Sequence, residues 1–205
     1  MISAKAALDR LREGNLRFAS SMGYAAALPS HDLLTELAAG QAPFAIILGC
    51  ADSRVPAEIV FDQGLGDLFV IRVAGNIVAP SQVGSVEFAA ERFGTPLVVV
   101  LGHSQCGAIT ATLEELQRPS ENQSPNLRSI VDRVRPSVEQ LLKTELRYDL
   151  GALAKEAVRA NIRASVDHLR HGSAVLEKMI RQSGFAVVGA EYSLESGVVE
   201  FFDTL

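Results

Sequence analysis

Apolar residues recur along the chain in two rhythms, and the boundaries between them outline a fold. Over residues 5–19, Ala7, Leu8, Leu11, Leu16 and Phe18 fall at near-helical spacing between charges, which predicts an amphipathic surface helix or arm. Ser30-His31-Asp32 then caps a short helix ending at Gly40. At Phe44 the rhythm changes. Phe44-Ala45-Ile46-Ile47-Leu48 is a continuous apolar run closed by Gly49, the pattern of a strand buried on both faces. Leu68-Phe69-Val70-Ile71 and Leu97-Val98-Val99-Val100-Leu101 repeat it. Between these two, Val83, Val86, Ala89, Ala90 and Phe93 share one helical face over residues 82–93, and Gly94 is the stop, so the segment reads as a βαβ unit. A helix over 106–117 follows, and then a proline-containing loop at 118–126 without apolar period.

Residues 127–182 set Ile130, Val134 and Val138, and later Val158, Ile162, Val166, Leu169, Leu176 and Ile180, among charges; they predict three helices broken near Arg147 and Gly172. Phe185-Ala186-Val187-Val188-Gly189 and Val198-Val199-Glu200-Phe201-Phe202 predict closing strands, with the turn at Glu195-Ser196-Gly197. The expected fold class is α/β: a mostly parallel central sheet of four strands plus an antiparallel edge strand, flanked by helices. One domain spans 1–205, with a helical arm at 1–40, an α/β core at 41–117, a helical segment at 118–182 and a C-terminal hairpin at 183–205.

Composition narrows the partners. A chain of 205 residues that is 48% hydrophobic can build its core without disulfides or a structural metal, so a metal site in it would be functional. A formal net charge of -5 argues against nucleic acid and against an anionic membrane surface. No apolar run approaches the length of a membrane span, and Lys5, Asp9, Arg10, Arg12, Glu13 and Arg17 break up any signal-peptide core. Two widely separated cysteines suit a reducing compartment. The expected location is cytoplasmic, which is compatible with a targeting segment removed upstream of Met1.

Chemistry gathers at the carboxyl ends of two predicted strands, where open α/β sheets place ligands. Cys50 follows the first strand, and His103 and Cys106 follow the third. A lone buried cysteine is more often a small hydrophobe than a ligand. If the two strands are neighbours, however, two thiolates and one imidazole converge, and tetrahedral zinc accepts that set with its fourth position open. Cys106 also opens a helix, where the dipole favours thiolate. Cys50-Ala51-Asp52-Ser53-Arg54 adds a carboxylate and a guanidinium at the same sheet end.

These residues resemble the β-class carbonic anhydrases, whose zinc motifs are Cys-x-Asp-x-Arg and, about fifty residues later, His-x-x-Cys. The likeness also takes in Gln41, residues 67–72, Gly75-Asn76, Gly84-Ser85-Val86-Glu87-Phe88 and Gly102 to Gly107. It implies one Zn²⁺ per chain held by Cys50, His103 and Cys106, and an Asp52–Arg54 dyad beside it. Gln41 and the backbone at Gly107 are implied to hold carbon dioxide or bicarbonate, and Phe69 to wall the pocket. The implied reaction is reversible hydration of carbon dioxide to bicarbonate and a proton by zinc-bound hydroxide. The family assembles as homodimers or homotetramers, and the apolar face of the N-terminal helix is a candidate arm across a partner. Phe88 stands where many relatives have tyrosine, and Ala74 replaces a larger residue. The chain has no tryptophan, which the bicarbonate-inhibited branch uses in its effector pocket. His31, His168 and His171 read as surface residues.

Two alternatives stay open on sequence: a carbonyl sulfide or carbon disulfide hydrolase on the same scaffold, and a noncatalytic zinc-binding or bicarbonate-sensing scaffold. Two others fail. A zinc deaminase needs His-x-Glu and Pro-Cys-x-x-Cys, but Gln105 stands two after His103 and the chain has no Cys-x-x-Cys. A dinucleotide fingerprint would need a third glycine after Gly64-Leu65-Gly66, and that segment precedes a strand, so it reads as a turn.

Overall fold

Five strands form one sheet in the order β2-β1-β3-β4-β5, in a computed structural model that describes residues 2–20, 30–120, 124–203 and 205. The strands are β1 (Ala45–Gly49), β2 (Leu68–Arg72), β3 (Leu97–His103), β4 (Ala186–Tyr192) and β5 (Val199–Phe201). The first four are mutually parallel, and β5 runs antiparallel to β4 as the edge. The central runs form β1 and β3, buried throughout because both sheet faces are covered there. Ile46 and Leu48 join the core on one face, and Ala45 and Ile47 join the core on the other.

The helices are α1 (Ala4–Ala19), α2 (His31–Ala39), α3 (Ala57–Val60), α4 (Pro80–Phe93), α5 (Gly107–Gln117), α6 (Pro125–Val138), α7 (Leu150–His171) and α8 (Ala174–Gln182). They are unequally distributed. Apolar residues of α4 to α8 pack on the Ile46/Leu48 face, whereas α1 and α3 cover the other. Local chemistry sets several boundaries. Ser30 Oγ accepts from the Leu33 amide at the start of α2, proline occupies the first turn of α4, and Gly94 closes α4 in the left-handed region.

Several expectations shift. β3 runs two residues beyond Leu101, so His103 is itself a strand residue paired with Tyr192. α4 begins two residues early, at Pro80, whose fixed φ suits a first helical position. The break near Arg147 is a pair of single-turn 3₁₀ segments, Leu141–Lys143 and Glu145–Tyr148. α3 and the 3₁₀ turn Ala74–Asn76 were not signalled by any periodicity, being too short to show one. Part of the expected 118–126 loop, residues 121–123, lies outside the described residues. Gly64-Leu65-Gly66 is a turn, with Gly66 at φ +84°.

The N-terminal helix carries the clearest difference. Ala7, Leu8 and Leu11 are fully buried within their own chain, whereas Leu16 of the same stripe is 66% exposed, so the sheet occupies the first part of the stripe and leaves Leu16 at the surface. Leu33 and Leu34 of α2 face solvent instead. α1 is fastened by Asn15, only 3% exposed. Its Nδ2 donates to Val60 O (3.1 Å) and Gly197 O (2.9 Å), and its Oδ1 accepts from the Val199 amide (2.8 Å). Asn15→Ala would strand three backbone groups of α3 and the hairpin. The expected cost is about 3 kcal/mol, read as a lower denaturant midpoint at unchanged slope.

Candidate metal centre

The crossover that follows β1 leads to β2 on one side, and the next leads to β3 on the other, so the chain reverses its winding at the β1/β3 boundary. Open α/β sheets hold their ligands at such a point. Cys50 leaves the end of β1 there, and His103 ends β3 beside it. Gly102 makes this possible, because a side chain on it would come within 2.5 Å of Ile162 on α7. After His103 the chain turns through Gln105, at φ +55°, into Cys106, the N-cap of α5.

Cys50, His103 and Cys106 therefore meet, with donor atoms all within 4.8 Å of one another and all three residues buried. The sulfurs are 3.9 Å apart. Two zinc–sulfur bonds of about 2.3 Å at a tetrahedral angle would set them about 3.8 Å apart. His103 Nδ1 lies 2.8 Å from Ser104 O. A carbonyl only accepts, so Nδ1 carries the hydrogen and Nε2 keeps its lone pair. Nε2 is fully buried without a partner; among the described residues it shares that condition only with Asn76 Nδ2. A buried acceptor without a donor, close to two sulfurs, is a donor set that could hold a metal ion.

The two sulfurs are coupled to each other. The hydrogen bond shared by the two sulfurs, in which either can donate, holds the Cys50 pKa down against the opposing effect of burial, with the amides of residues 52 and 75 helping. The same bond, with burial, pushes Cys106 up. A metal ion binds cysteine as thiolate, so its arrival would release protons from this pair.

Asp52 and Arg54 flank this cluster. Arg54 grips the carboxylate through a fork, Nε to Oδ1 at 3.0 Å and a terminal nitrogen to Oδ2 at 2.8 Å, and its amide donates to Oδ1 at 3.0 Å. The grip holds the Asp52 carboxyl well below the usual carboxylate range. Asp52 Oδ2 stands 3.8 Å from His103 Nε2. Arg54 also reaches Gln105 O at 3.4 Å, joining the two motif loops. Gly107 is exposed at the first position of α5, beside Cys106.

Gln41 and Phe69 are not brought here within one chain. Gln41 is exposed before β1, at the opposite end of that strand from Cys50. Phe69 pairs with Ile46, whereas Gly49, the neighbour of Cys50, pairs with Arg72. Phe69 packs instead with Phe88 and Phe93 of α4. His31, His168 and His171 are exposed, as expected.

Sequence reasoning missed several supports. Arg72 Nε donates to Cys50 O at 3.0 Å and its guanidinium also reaches Asp52 O, bracing the first motif loop. Glu195, in the hairpin turn, accepts from Ser104 Oγ (2.9 Å) and Gln105 Nε2 (2.6 Å), bracing the second. Arg72 ends the 67–72 run that carries the family likeness but was given no role there, and a glutamate in a turn is an ordinary surface residue.

A family profile described as carbonic anhydrase matches residues 45–199. Carbonic anhydrase 2 of Mycobacterium tuberculosis is 41% identical over 199 residues, covering 94% of this chain and 89% of its own. The carbonic anhydrase of Mycolicibacterium smegmatis is 38% identical over 201 residues, covering 95% and 91%. Among solved structures, the β-carbonic anhydrase CcaA superposes with a TM-score of 0.78 at 27% identity, covering 96% of this chain and 95% of that one. Two tetrameric β-carbonic anhydrases from Sordaria macrospora share the fold, with a TM-score of 0.74 at 24% identity over 83% of this chain and 86% of theirs. With the sheet, the metal-ligand cluster and these likenesses in agreement, the chain belongs to the β-class carbonic anhydrases, and its enzyme class is carbonate dehydratase.

Proposed function

We propose that Cys50, His103 and Cys106 hold one zinc ion, and that the chain uses it to interconvert carbon dioxide and bicarbonate with Asp52 and Arg54 as the working dyad. The observation that carries the reading is the buried His103 Nε2, partnerless beside two sulfurs at tetrahedral spacing. When bound, zinc supplies a Lewis acid that lowers the pKa of water enough for attack on carbon dioxide near neutral pH.

The protein's own groups do the rest. Asp52 stays ionised through the neutral range and so acts as an acceptor, orienting the attacking O–H toward the substrate carbon. Arg54 keeps that carboxylate from turning onto the three ligands, its planar fork matching both oxygens. The Gly107 amide, at the positive end of α5, is placed to receive a carbonate oxygen.

Gln41 and Phe69 join the pocket only if a second copy carries them there, which supports a homodimer or homotetramer with sites at the subunit boundary. β2, the strand that bears Phe69, is an edge of the sheet. Among the described residues no helix is long and apolar enough to cross a membrane. We place the enzyme in the cytoplasm, because Cys50 and Cys106 must remain thiolates to hold a metal and a reducing compartment keeps them so.

Stopped-flow carbon dioxide hydration at pH 7 and pH 8.5, on protein of known zinc content, tests the reading. Fast turnover at both values is the expected result. No turnover with zinc fully bound overturns it and directs the assay to carbonyl sulfide. Arg54→Met gives a further expectation. With its grip lost, Asp52 is free to occupy the fourth position, so turnover falls at pH 7 by roughly 10²-fold or more, the scale of losing an orienting group. A carboxylate fourth ligand in zinc absorption spectra checks that cause.

A further inference from the structure

Cys50 Sγ has one neighbour that neither zinc motif supplies. The Gly75 amide donates to it across 3.4 Å in the interior. Gly75 belongs to the 3₁₀ turn after β2 and takes φ +70°, and Asn76 beside it takes φ +42°. The second value strains a residue with a side chain, and such a turn keeps its shape only where surrounding groups impose it. Two residues of α7 do so. Asn161 Nδ2 donates to Gly75 O at 2.8 Å, and Ser165 Oγ donates to Asn76 O at 3.1 Å.

These two are one helical turn apart, so a single stripe of α7 holds two successive carbonyls. They are 2% and 5% exposed, among Val158, Ile162, Val166 and Leu169. Polar side chains in an otherwise apolar buried stripe are kept there by what they bond, and here both bond the same turn. From the other side, the turn is tied to the metal loop, since the Ala51 amide donates to Val73 O at 3.3 Å and the Val73 amide to Gly49 O at 3.1 Å.

We propose that Asn161 and Ser165 are positioning residues of the metal centre. By fixing the Gly75 and Asn76 carbonyls they aim the Gly75 N–H at Cys50 Sγ, and that hydrogen bond draws electron density from the sulfur. This rests on the reading of Cys50 as a zinc ligand. A thiolate with such a donor gives less charge to its metal, which stays a stronger Lewis acid, and the sulfur is held in one orientation before the metal arrives.

The test is cobalt(II) substitution in the wild type, Ser165→Ala, Ser165→Thr and Asn161→Ala, with zinc release to excess chelator followed on the zinc forms. Asn161 and Ser165 line a cleft of about 700 Å³ between α4, α6 and α7, so shortening either opens onto solvent and leaves no sealed void. The sulfur-to-cobalt charge-transfer band is expected to move to longer wavelength in Ser165→Ala and further in Asn161→Ala, while Ser165→Thr, which keeps the hydroxyl, stays with the wild type. Zinc release should quicken by about 10- to 100-fold in Asn161→Ala. An unmoved band in the folded alanine variants overturns the proposal, even with faster release, because packing alone would then explain the loss. Should Asn161→Ala not fold, the Ser165→Ala and Ser165→Thr pair decides in the same way. A wild type that takes up cobalt without any sulfur band overturns the zinc-ligand reading itself, which separates the two failures.

Discussion

Cys106→Ser is expected to leave the protein folded but unable to keep its metal. Both halves of that outcome follow from position. Cys106 caps α5 without using its side chain, and serine is among the better residues at an N-cap, so the helix start loses nothing. The core on this face holds Cys50 and Cys106 but is built mainly from apolar residues of the sheet and α4 to α8, and a chain of this length buries enough apolar surface to fold without a structural metal. The metal, by contrast, loses one of three donors. Zinc bound by four protein ligands is worth about 10–16 kcal/mol, so each ligand carries roughly 3 kcal/mol, about 10²- to 10³-fold in affinity. Zinc content per chain should fall far below one, and carbon dioxide hydration should fall to the uncatalysed rate. Stoichiometric zinc in purified Cys106→Ser would show that the donor set lies elsewhere.

Asp52→Asn should do the converse, keeping zinc while losing most turnover. The side chain contributes no donor to the Cys50/His103/Cys106 cluster, so zinc content per chain should match the wild type. What changes is the acceptor. The replacement keeps one oxygen, but its amide nitrogen presents N–H groups to an arginine fork built to meet two oxygens, and the pair of bonds at 3.0 and 2.8 Å cannot both survive. The orienting acceptor is then neutral and misplaced, and removal of such a group costs about 10²- to 10³-fold in turnover. Turnover near wild type would remove Asp52 from the mechanism. The two variants together separate holding the metal from using it.

The ease of reading differed sharply between parts of the chain. Each central strand was legible because a strand buried on both faces needs an unbroken apolar run, and residues 44–48 and 97–101 have one. The helices of 127–182 were legible through their 3.6-residue period. The candidate ligands were legible because metal sites constrain residue type and spacing together, as in His103-Ser104-Gln105-Cys106. The support around them was not. Asn161 and Ser165 stood in view as polar positions inside a buried helical stripe, a signal that something faces them, but nothing local says that it is the turn at Gly75. Glu195 meets Ser104 and Gln105 from a hairpin 90 residues away, and no local pattern encodes a contact of that kind.

The sequence by itself thus determined the five strands and the longer helices, which three side chains form a candidate metal-ligand set, and that a carboxylate and a guanidinium travel with them. Tertiary structure decided that β1 and β3 lie side by side, so that Cys50 meets His103 and Cys106. It decided that Ala7, Leu8 and Leu11 of α1 are buried on their own sheet while Leu16 stays exposed, and that Gln41 and Phe69 stay away from the Cys50/His103/Cys106 cluster of their own chain. The physical reason is common to all of these. Periodicity records that a face is buried and how wide it is, because that depends on the local backbone repeat. What the face is buried against depends on strand order and helix placement, which arise only when the whole chain packs.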